Sequence, residues 1–206
     1  MYKFMLKFVK EKLELTGGEE WNFGKFPFRK RSEHIWRVFL WAKRLIAEIN
    51  QINKEAVLVA AIFHDVGYGI DGDNDNHAEN SAQICHDYLI ENGFGVEFVD
   101  FVTYLIRNHS KKELMSIENT PKELILLMEA DLLDETGALS IVWDCMMEGS
   151  EQIQSFAKTY EHIKKYSFKN MEINPMVTPK AKALWEAKQK LMIEFIRHLS
   201  FDLGID

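Results

Sequence analysis

Apolar residues recur along most of this chain at the three- and four-residue spacing of amphipathic helices. Glycines and prolines interrupt the pattern at intervals, and no convincing run alternates between apolar and polar residues as a half-buried strand would. The sequence therefore predicts an all-α fold, a multi-helix bundle. The predicted helices cover about residues 2–15, 32–50, 53–65, 76–91, 96–108, 121–134, 136–147, 150–166 and 179–201.

The length of 206 residues fits a single domain. We expect one helical domain over 1–206, with a functional core at about 32–145 and closing helices at about 150–202. Ser32 is the predicted N-cap of the long second helix. The loop before it, Trp21 to Arg31, is both aromatic and basic. Its aromatic rings are expected to lie on the core with the cations in solvent, or some of the cations reach an anion.

Composition narrows the classes of function. A net charge of -7 argues against binding to a nucleic acid polymer or an anionic membrane, so an anionic substrate needs a local cationic site. Cys85 and Cys145 form neither a disulfide framework nor a metal-ligand spacing. No signal peptide or membrane-spanning run is evident, and we therefore expect a cytoplasmic protein. The sequence leaves an oligomer open.

One short stretch carries unusual chemistry. Residues 60–67 read as the end of an apolar helix that delivers the adjacent pair His64-Asp65 and stops at Gly67. Burying an imidazole and a carboxylate there costs several kcal/mol unless something pairs with them, and a divalent cation is the usual partner. The alternative is a histidine that interacts with its own helix dipole beside an exposed aspartate.

Four other predicted helices also place a metal-competent side chain at the end of an apolar face. These residues are His34, His77, His109 and Asp131. Five such coincidences indicate a shared purpose. His86 lies about half a turn from His77 and is predicted to point outward, while His162 and His198 show no partner pattern and are assigned structural or surface roles.

Ligand type predicts the chemistry. Two imidazoles, His34 and His64, with two carboxylates, Asp65 and Asp131, make a mixed nitrogen and oxygen site that leaves positions for water. Such a site suits Mn, Fe, Co, Ni or Zn better than calcium, with Mg also open, and metal-assisted hydrolysis is its default reaction. His77 and His109 could hold a second ion, or bind and protonate a phosphate; the sequence leaves one or two ions open.

This ordered set on an all-α chain resembles the HD-domain superfamily of metal-dependent phosphohydrolases, especially its small single-domain bacterial members. The segments that carry the resemblance are 34–38, 60–67, 77–82, 106–110 and 129–134, followed by Gly137-Ala138. The resemblance implies that the metal ligands are His34, His64, Asp65 and Asp131. Relatives commonly have an arginine where this chain has Leu132, so an anion contact made there is missing.

The resemblance also implies roles around the metal. His77 matches a histidine that contacts phosphate or acts as general acid, while Glu79 and Asp134 are candidates for outer contacts or proton transfer. The expected catalytic residues are His77, Glu79, Asp65 and His109. The expected substrate-binding residues are Arg37, His77, Arg107, His109, Lys111 and Lys112.

The leading hypothesis is a phosphohydrolase that acts on a nucleotide, or another small phosphate ester or anhydride, with water activated by the metal. A second hypothesis is an oxygenase, since some HD-domain proteins hold two irons, and six ligands are available here. A third is a non-catalytic sensor of nucleotide or metal, which the complete ligand set opposes only weakly.

Overall fold

The computed structural model of the protein describes residues 1–20, 29–70, 75–150 and 153–205. These residues form helices joined by turns, with one isolated β-bridge between Glu20 and Lys30 and no strand in the described ranges. The predicted all-α fold is therefore confirmed. The α-helices are α1 (Tyr2–Thr16), α2 (Arg31–Ile46), α3 (Lys54–Phe63), α4 (His77–Glu91), α5 (Val96–Asn108), α6 (Lys122–Leu133), α7 (Ala138–Gly149), α8 (Phe156–Ile163) and α9 (Pro179–Leu203).

The chain forms two compact units, one of described residues up to Asp131 and one of those from Leu132 onward. We call them unit 1 and unit 2. The expectation of a single domain over 1–206 stays a prediction.

Helix α3 is the centre of unit 1. The side chain of Asn53 caps it by accepting the backbone N–H of Ala56 at 3.0 Å. Every residue from Ala56 to Phe63 is buried, because α3 packs against α1, α2, α4 and α5. A helix surrounded by neighbours has no polar face, which explains the nearly continuous apolar sequence of this segment.

Unit 2 contains α7, α8 and α9, which pack against one another. Thr178 caps α9 and Pro179 occupies its first turn, where proline costs no hydrogen bond. Helix α8 continues into a π-helical turn, Lys164–Phe168. None of the helices in the described ranges is long and apolar enough to cross a membrane, and the cytoplasmic location stays a prediction.

Several predicted boundaries differ from the structure. Helix α2 starts at Arg31 and ends at Ile46, and Ser32 is not its N-cap. The Glu19 carboxylate accepts the Ser32 backbone N–H at 3.0 Å, and such a cap from a distant residue leaves no local signal. The last helix before the closing one starts at Phe156 rather than near 150. A short 3₁₀ helix, Lys112–Ser116, was not predicted. Residues 21–28 of the aromatic and basic loop lie outside the described part of the chain.

Candidate metal centre

A tight turn after α3 positions the His64-Asp65 pair. The Gly67 backbone N–H donates to the Ser81 hydroxyl at 2.8 Å. A β-carbon at Gly67 would lie 2.4 Å from the Ser81 backbone nitrogen and 2.6 Å from the His77 carbonyl oxygen, which is too close for any side chain. Only glycine lets this turn press against the first residues of α4. As a result, His77 at the start of α4 lies beside Asp65.

Side chains from α2, α6 and the turn after α3 meet in one cluster. His34 Nε2 lies 3.3 Å from His64 Nε2 and 3.3 Å from Asp131 Oδ1. His64 Nε2 in turn lies 3.8 Å from Asp131 Oδ1. Asp65 approaches the same two rings, with Oδ2 at 3.6 Å from His34 Nε2 and Oδ1 at 3.6 Å from His64 Nε2. The structure thus brings together all four residues assigned as metal ligands, and three of them, His34, His64 and Asp131, are close enough to share an ion.

The other two histidines face the same carboxylate. His109 Nε2 lies 3.4 Å and His77 Nε2 lies 3.8 Å from Asp65 Oδ1. His64, Asp65 and His109 form a second set whose ligand atoms could share an ion. The two sets have His64 in common. Asp65 belongs to the second set and also approaches His34 of the first set. This geometry can accept one ion or two.

The rings of His64 and His109 are held with Nε2 toward the cluster. His64 Nδ1 lies 2.9 Å from the Ala61 carbonyl oxygen, and His109 Nδ1 lies 2.6 Å from the Ile106 carbonyl oxygen. A carbonyl only accepts hydrogen bonds, so these contacts assign the ring proton to Nδ1 and leave a lone pair on Nε2. Burial lowers the pKa of His64 to about 4, so this imidazole is neutral at pH 7 and ready to coordinate.

The two carboxylates are held ionised by cations. Arg31 Nη1 donates to Asp65 Oδ2 at 2.8 Å, and Lys112 Nζ donates to Asp131 Oδ2 at 2.6 Å. Burial alone would raise the pKa of both carboxyl groups. The neighbouring imidazoles and these two cations outweigh burial and hold both pKa values well below the usual range for aspartate. The donor set therefore combines ionised carboxylate oxygens with neutral imidazole nitrogens, which fits a divalent transition metal.

The remaining predicted residues lie farther out. Glu79 and Arg107 pair with each other, with Arg107 Nε at 2.9 Å from both carboxylate oxygens, and both side chains are largely exposed. Lys111 is exposed and donates to Asn108 Oδ1 at 3.0 Å. Arg37 is half-buried on α2, three residues after His34. The catalytic and substrate-binding roles of these residues stay predictions.

Sequence reasoning did not single out Tyr68, and it treated Arg31 only as one of the loop cations that could reach an anion. The Tyr68 ring stacks on the His77 ring with centroids 4.3 Å apart, and the Arg31 guanidinium carbon lies 3.6 Å from the Tyr68 ring centroid. Burial raises the pKa of Tyr68 to about 12, so its hydroxyl stays neutral. Arg31 stands three residues before His34 on one helix face, which was an available signal. No pattern in the sequence marked Tyr68.

Comparison with known proteins places this centre in a family. Residues 31–136, more than half of the chain, match the HD domain. The chain therefore belongs to the HD-domain family, as the sequence resemblance predicted. Membership supports a metal-dependent hydrolase in general terms.

Individual relatives match to different extents. A segment of 56 residues is 41% identical to the bifunctional uridylyltransferase/uridylyl-removing enzyme of Vibrio vulnificus, and it makes up 27% of this chain and only 6% of that protein. Over 187 residues the chain is 27% identical to YpgQ of Bacillus subtilis, covering 85% of this chain and 87% of YpgQ.

Solved structures show the same fold. The crystal structure of Bacillus subtilis YpgQ in complex with ADP aligns over the whole of both chains with a TM-score of 0.66 and 23% sequence identity. An HD-superfamily hydrolase from Bacillus thuringiensis aligns over 99% of this chain and 97% of its own, with a TM-score of 0.70 and 21% identity. At these identities the likeness establishes the fold alone.

Proposed function

We propose that this protein is a metal-dependent phosphohydrolase that cleaves a phosphate ester or anhydride bond of a nucleotide. The observation that carries the proposal is the buried cluster of His34, His64, Asp65 and Asp131, in which the His64 imidazole is neutral and both carboxylates are ionised. The ADP in the crystal structure of YpgQ supports a nucleotide as the class of substrate. The likeness to part of a uridylyl-removing enzyme agrees with cleavage at phosphorus.

A divalent ion held by these four residues would lower the pKa of a bound water and polarise a phosphoryl oxygen. Fe, Mn, Co, Ni and Zn suit the donor set, and Mg stays open. The protein's own part is preorganisation. The Ala61 and Ile106 carbonyls fix two imidazole rings, and Arg31 and Lys112 hold the two carboxylates by hydrogen bonds. The ligands are therefore in place before an ion binds.

His77 is the best placed of the four histidines to meet a substrate. Its side chain is 14% exposed, whereas those of His34, His64 and His109 are at most 6% exposed. Stacking on Tyr68 fixes the plane of the ring, so that Nε2 points toward Asp65. We assign to His77 the role of general acid, which donates a proton to the leaving oxygen.

The negative net charge of the whole chain means that substrate phosphates need local cations. Lys112 is half-buried beside Asp131 and supplies one positive charge at the metal ligands themselves. Arg37 and Lys111 flank the centre in sequence, on α2 and just after α5. We assign these residues to phosphate binding, and Arg107 joins them only if it leaves its exposed partner Glu79.

A panel of nucleotides tests the proposal. Protein loaded with Mn, Co, Ni, Fe or Mg is expected to release phosphate or pyrophosphate from at least one nucleotide. His64→Ala and Asp65→Ala should abolish that release, whereas His86→Ala, at an exposed histidine on α4, should leave it intact. Circular dichroism checks that each variant folds. Absence of hydrolysis with every metal and every phosphate compound would count against a phosphohydrolase.

One observation keeps a second function in view. His77 and His109 both face Asp65, so six ligands are available for two ions, as a di-iron oxygenase would need. Anaerobic metal analysis that gives near two irons per chain, together with oxygen uptake, would place the oxygenase first. Tight nucleotide binding without turnover would instead favour a sensor.

A further inference from the structure

Unit 2 contains a second cluster of ionisable side chains, which we call the α7–α8 cluster and define as Asp144, Glu148 and His162. Asp144 and Glu148 are four residues apart and therefore lie on one face of α7. His162 on α8 lies between them, with Nδ1 at 2.6 Å from Glu148 Oε1 and Nε2 at 3.5 Å from Asp144 Oδ1. The cluster shares no residue with the candidate metal centre described above, which we call the HD centre and which contains His34, His64, Asp65, His77, His109 and Asp131.

The short contact fixes the imidazole. A separation of 2.6 Å means that His162 Nδ1–H donates to the Glu148 carboxylate. In a neutral ring the lone pair is then on Nε2, directed at Asp144. The 3.5 Å between His162 Nε2 and Asp144 Oδ1 is longer than an ordinary hydrogen bond. In that tautomer His162 Nε2 and Asp144 Oδ1 are both acceptors on the two sides of this gap.

The other oxygen of the Asp144 carboxylate, Oδ2, has no partner of its own among the described residues. The residue is 3% exposed, and its Oδ2 is buried. Burial raises the pKa of Asp144, and a hydrogen bond from Ser167 and the nearby His162 only partly offset this. A buried carboxylate oxygen of this kind destabilises the fold unless a partner is supplied.

A cavity of about 420 Å³ adjoins these atoms. Asp144 and His162 line it together with Met147 and with residues that are acidic, neutral polar or aromatic, and it has no lysine or arginine among its described lining residues. Glu135 adds a further carboxylate to the wall. The acidic lining of the cavity therefore favours a cation over a phosphate.

The spacing of the two acceptors distinguishes a metal from an organic ammonium. Tetrahedral coordination with bonds of about 2.0–2.1 Å puts neighbouring ligand atoms roughly 3.4 Å apart. An ammonium group that donates two hydrogen bonds of about 2.9 Å would hold its acceptors roughly 4.7 Å apart. The observed 3.5 Å matches the metal. A carboxylate on the far ring nitrogen, as Glu148 provides, is also the usual support of a metal-binding histidine.

We propose that the α7–α8 cluster is a second metal site, in which Asp144 and His162 Nε2 bind a divalent transition ion such as Zn²⁺ or Co²⁺. Glu148 orients the imidazole, and water completes the coordination. An ion there joins α7 to α8, because its two protein ligands come from different helices.

Co²⁺ binding to the full-length chain tests this site without relying on activity. The background is His64→Ala, since His64 belongs to both ligand sets of the HD centre. Titration calorimetry is expected to show one Co²⁺ per chain that disappears when His162→Ala is added. Glu148→Gln should weaken the same binding by about 10–100-fold. His198→Ala, at an exposed histidine on α9, is the matched control and should keep it.

Asp144→Asn is the second variant, in case His162→Ala disturbs folding, and it should also lose the ion. Circular dichroism verifies the fold of every protein compared. Equal Co²⁺ uptake with and without His162→Ala, or no uptake in the His64→Ala background, overturns the proposal. A loss that His198→Ala reproduces also overturns it, because that result would mean diffuse surface binding.

Discussion

The HD centre and the α7–α8 cluster contain the same kinds of side chain in opposite electrostatic settings. In the HD centre, Asp65 and Asp131 each have a cation within 2.8 Å, and their pKa values are held well below normal. In the α7–α8 cluster, Asp144 is as buried as Asp65, but one of its oxygens has no hydrogen-bond partner among described residues, and its pKa is raised.

The difference shows that burial alone does not decide the state of a carboxylate. What differs is the supply of positive charge from neighbouring helices. Arg31 and Lys112 keep the HD centre in its ionised, metal-ready form without an ion. His162 already donates to Glu148, so Asp144 depends on an added cation. The comparison can be tested by changing one charge at a time.

The largest effect is expected from Arg31→Ala. The Arg31 and Asp65 side chains are each 6% exposed, and removal of one partner leaves a buried charge without compensation. We expect the metal-free protein to lose about 3–5 kcal/mol in free energy of unfolding, measured with urea. The control is Arg107→Ala, which breaks the exposed pair with Glu79 and should cost at most about 1 kcal/mol. Similar losses in the two variants would mean that the buried pair contributes no more to the free energy of unfolding than the exposed pair.

Next comes the pH dependence of the metal-free fold. The folded pKa of His64 is about 4 against a usual value of 6.5. Between these pH values the unfolded chain binds a proton that the folded chain does not, so stability falls as pH decreases from 6.5 toward 4. The full difference is on the order of 3 kcal/mol. Urea unfolding at several pH values should show a weaker dependence in His64→Gln and an unchanged one in His198→Ala; equal slopes in all three proteins would contradict the assignment.

A smaller effect is expected from Lys112→Ala. Without Lys112, Asp131 Oδ2 loses the 2.6 Å hydrogen bond that orients the carboxylate so that Oδ1 faces His34. Affinity for Mn²⁺, measured by calorimetry, should fall by about 10–100-fold. Lys122→Ala, at an exposed position on the same helix as Asp131, should leave that affinity unchanged. Identical affinities in the wild type and Lys112→Ala would show that Asp131 does not need the lysine.

The fold was predictable because α3 and its neighbours obey helical periodicity, and the all-α fold is confirmed. The same periodicity named the residues that meet at the HD centre, since a polar side chain at the end of an apolar face has to enter the core. Their role as metal ligands remains a prediction. The sequence allowed a loop cation to reach an anion, but it could not identify Asp65 as the partner of Arg31, because the two residues are joined only by tertiary packing.

His162 shows the opposite limit of sequence reasoning. It was assigned a structural or surface role because no partner pattern surrounds it on its own helix. Its partners, Asp144 and Glu148, are on α7. Their four-residue spacing is visible in the sequence, but it does not indicate which helix this face of α7 packs against. Periodicity identifies a polar face, and only packing identifies what meets it.

The smallest predicted effect has the opposite sign. Asp144→Asn should raise the free energy of unfolding of the metal-free protein at pH 7 by on the order of 1 kcal/mol, because it removes a buried charge that lacks compensation. The folded pKa of Asp144 is raised, so the folded chain keeps a proton that the unfolded chain has lost, and the ionised group weakens the wild type as pH increases.

The advantage of the asparagine variant should therefore grow from acidic to neutral pH in urea titrations with a chelator. Added Co²⁺ should reverse the order, since only the wild type retains the carboxylate ligand. If the asparagine variant is instead less stable without metal, His162 is already positively charged and pairs with Asp144. The α7–α8 cluster would then be a closed ion pair, compensated as the HD centre is, and the contrast between the two would disappear.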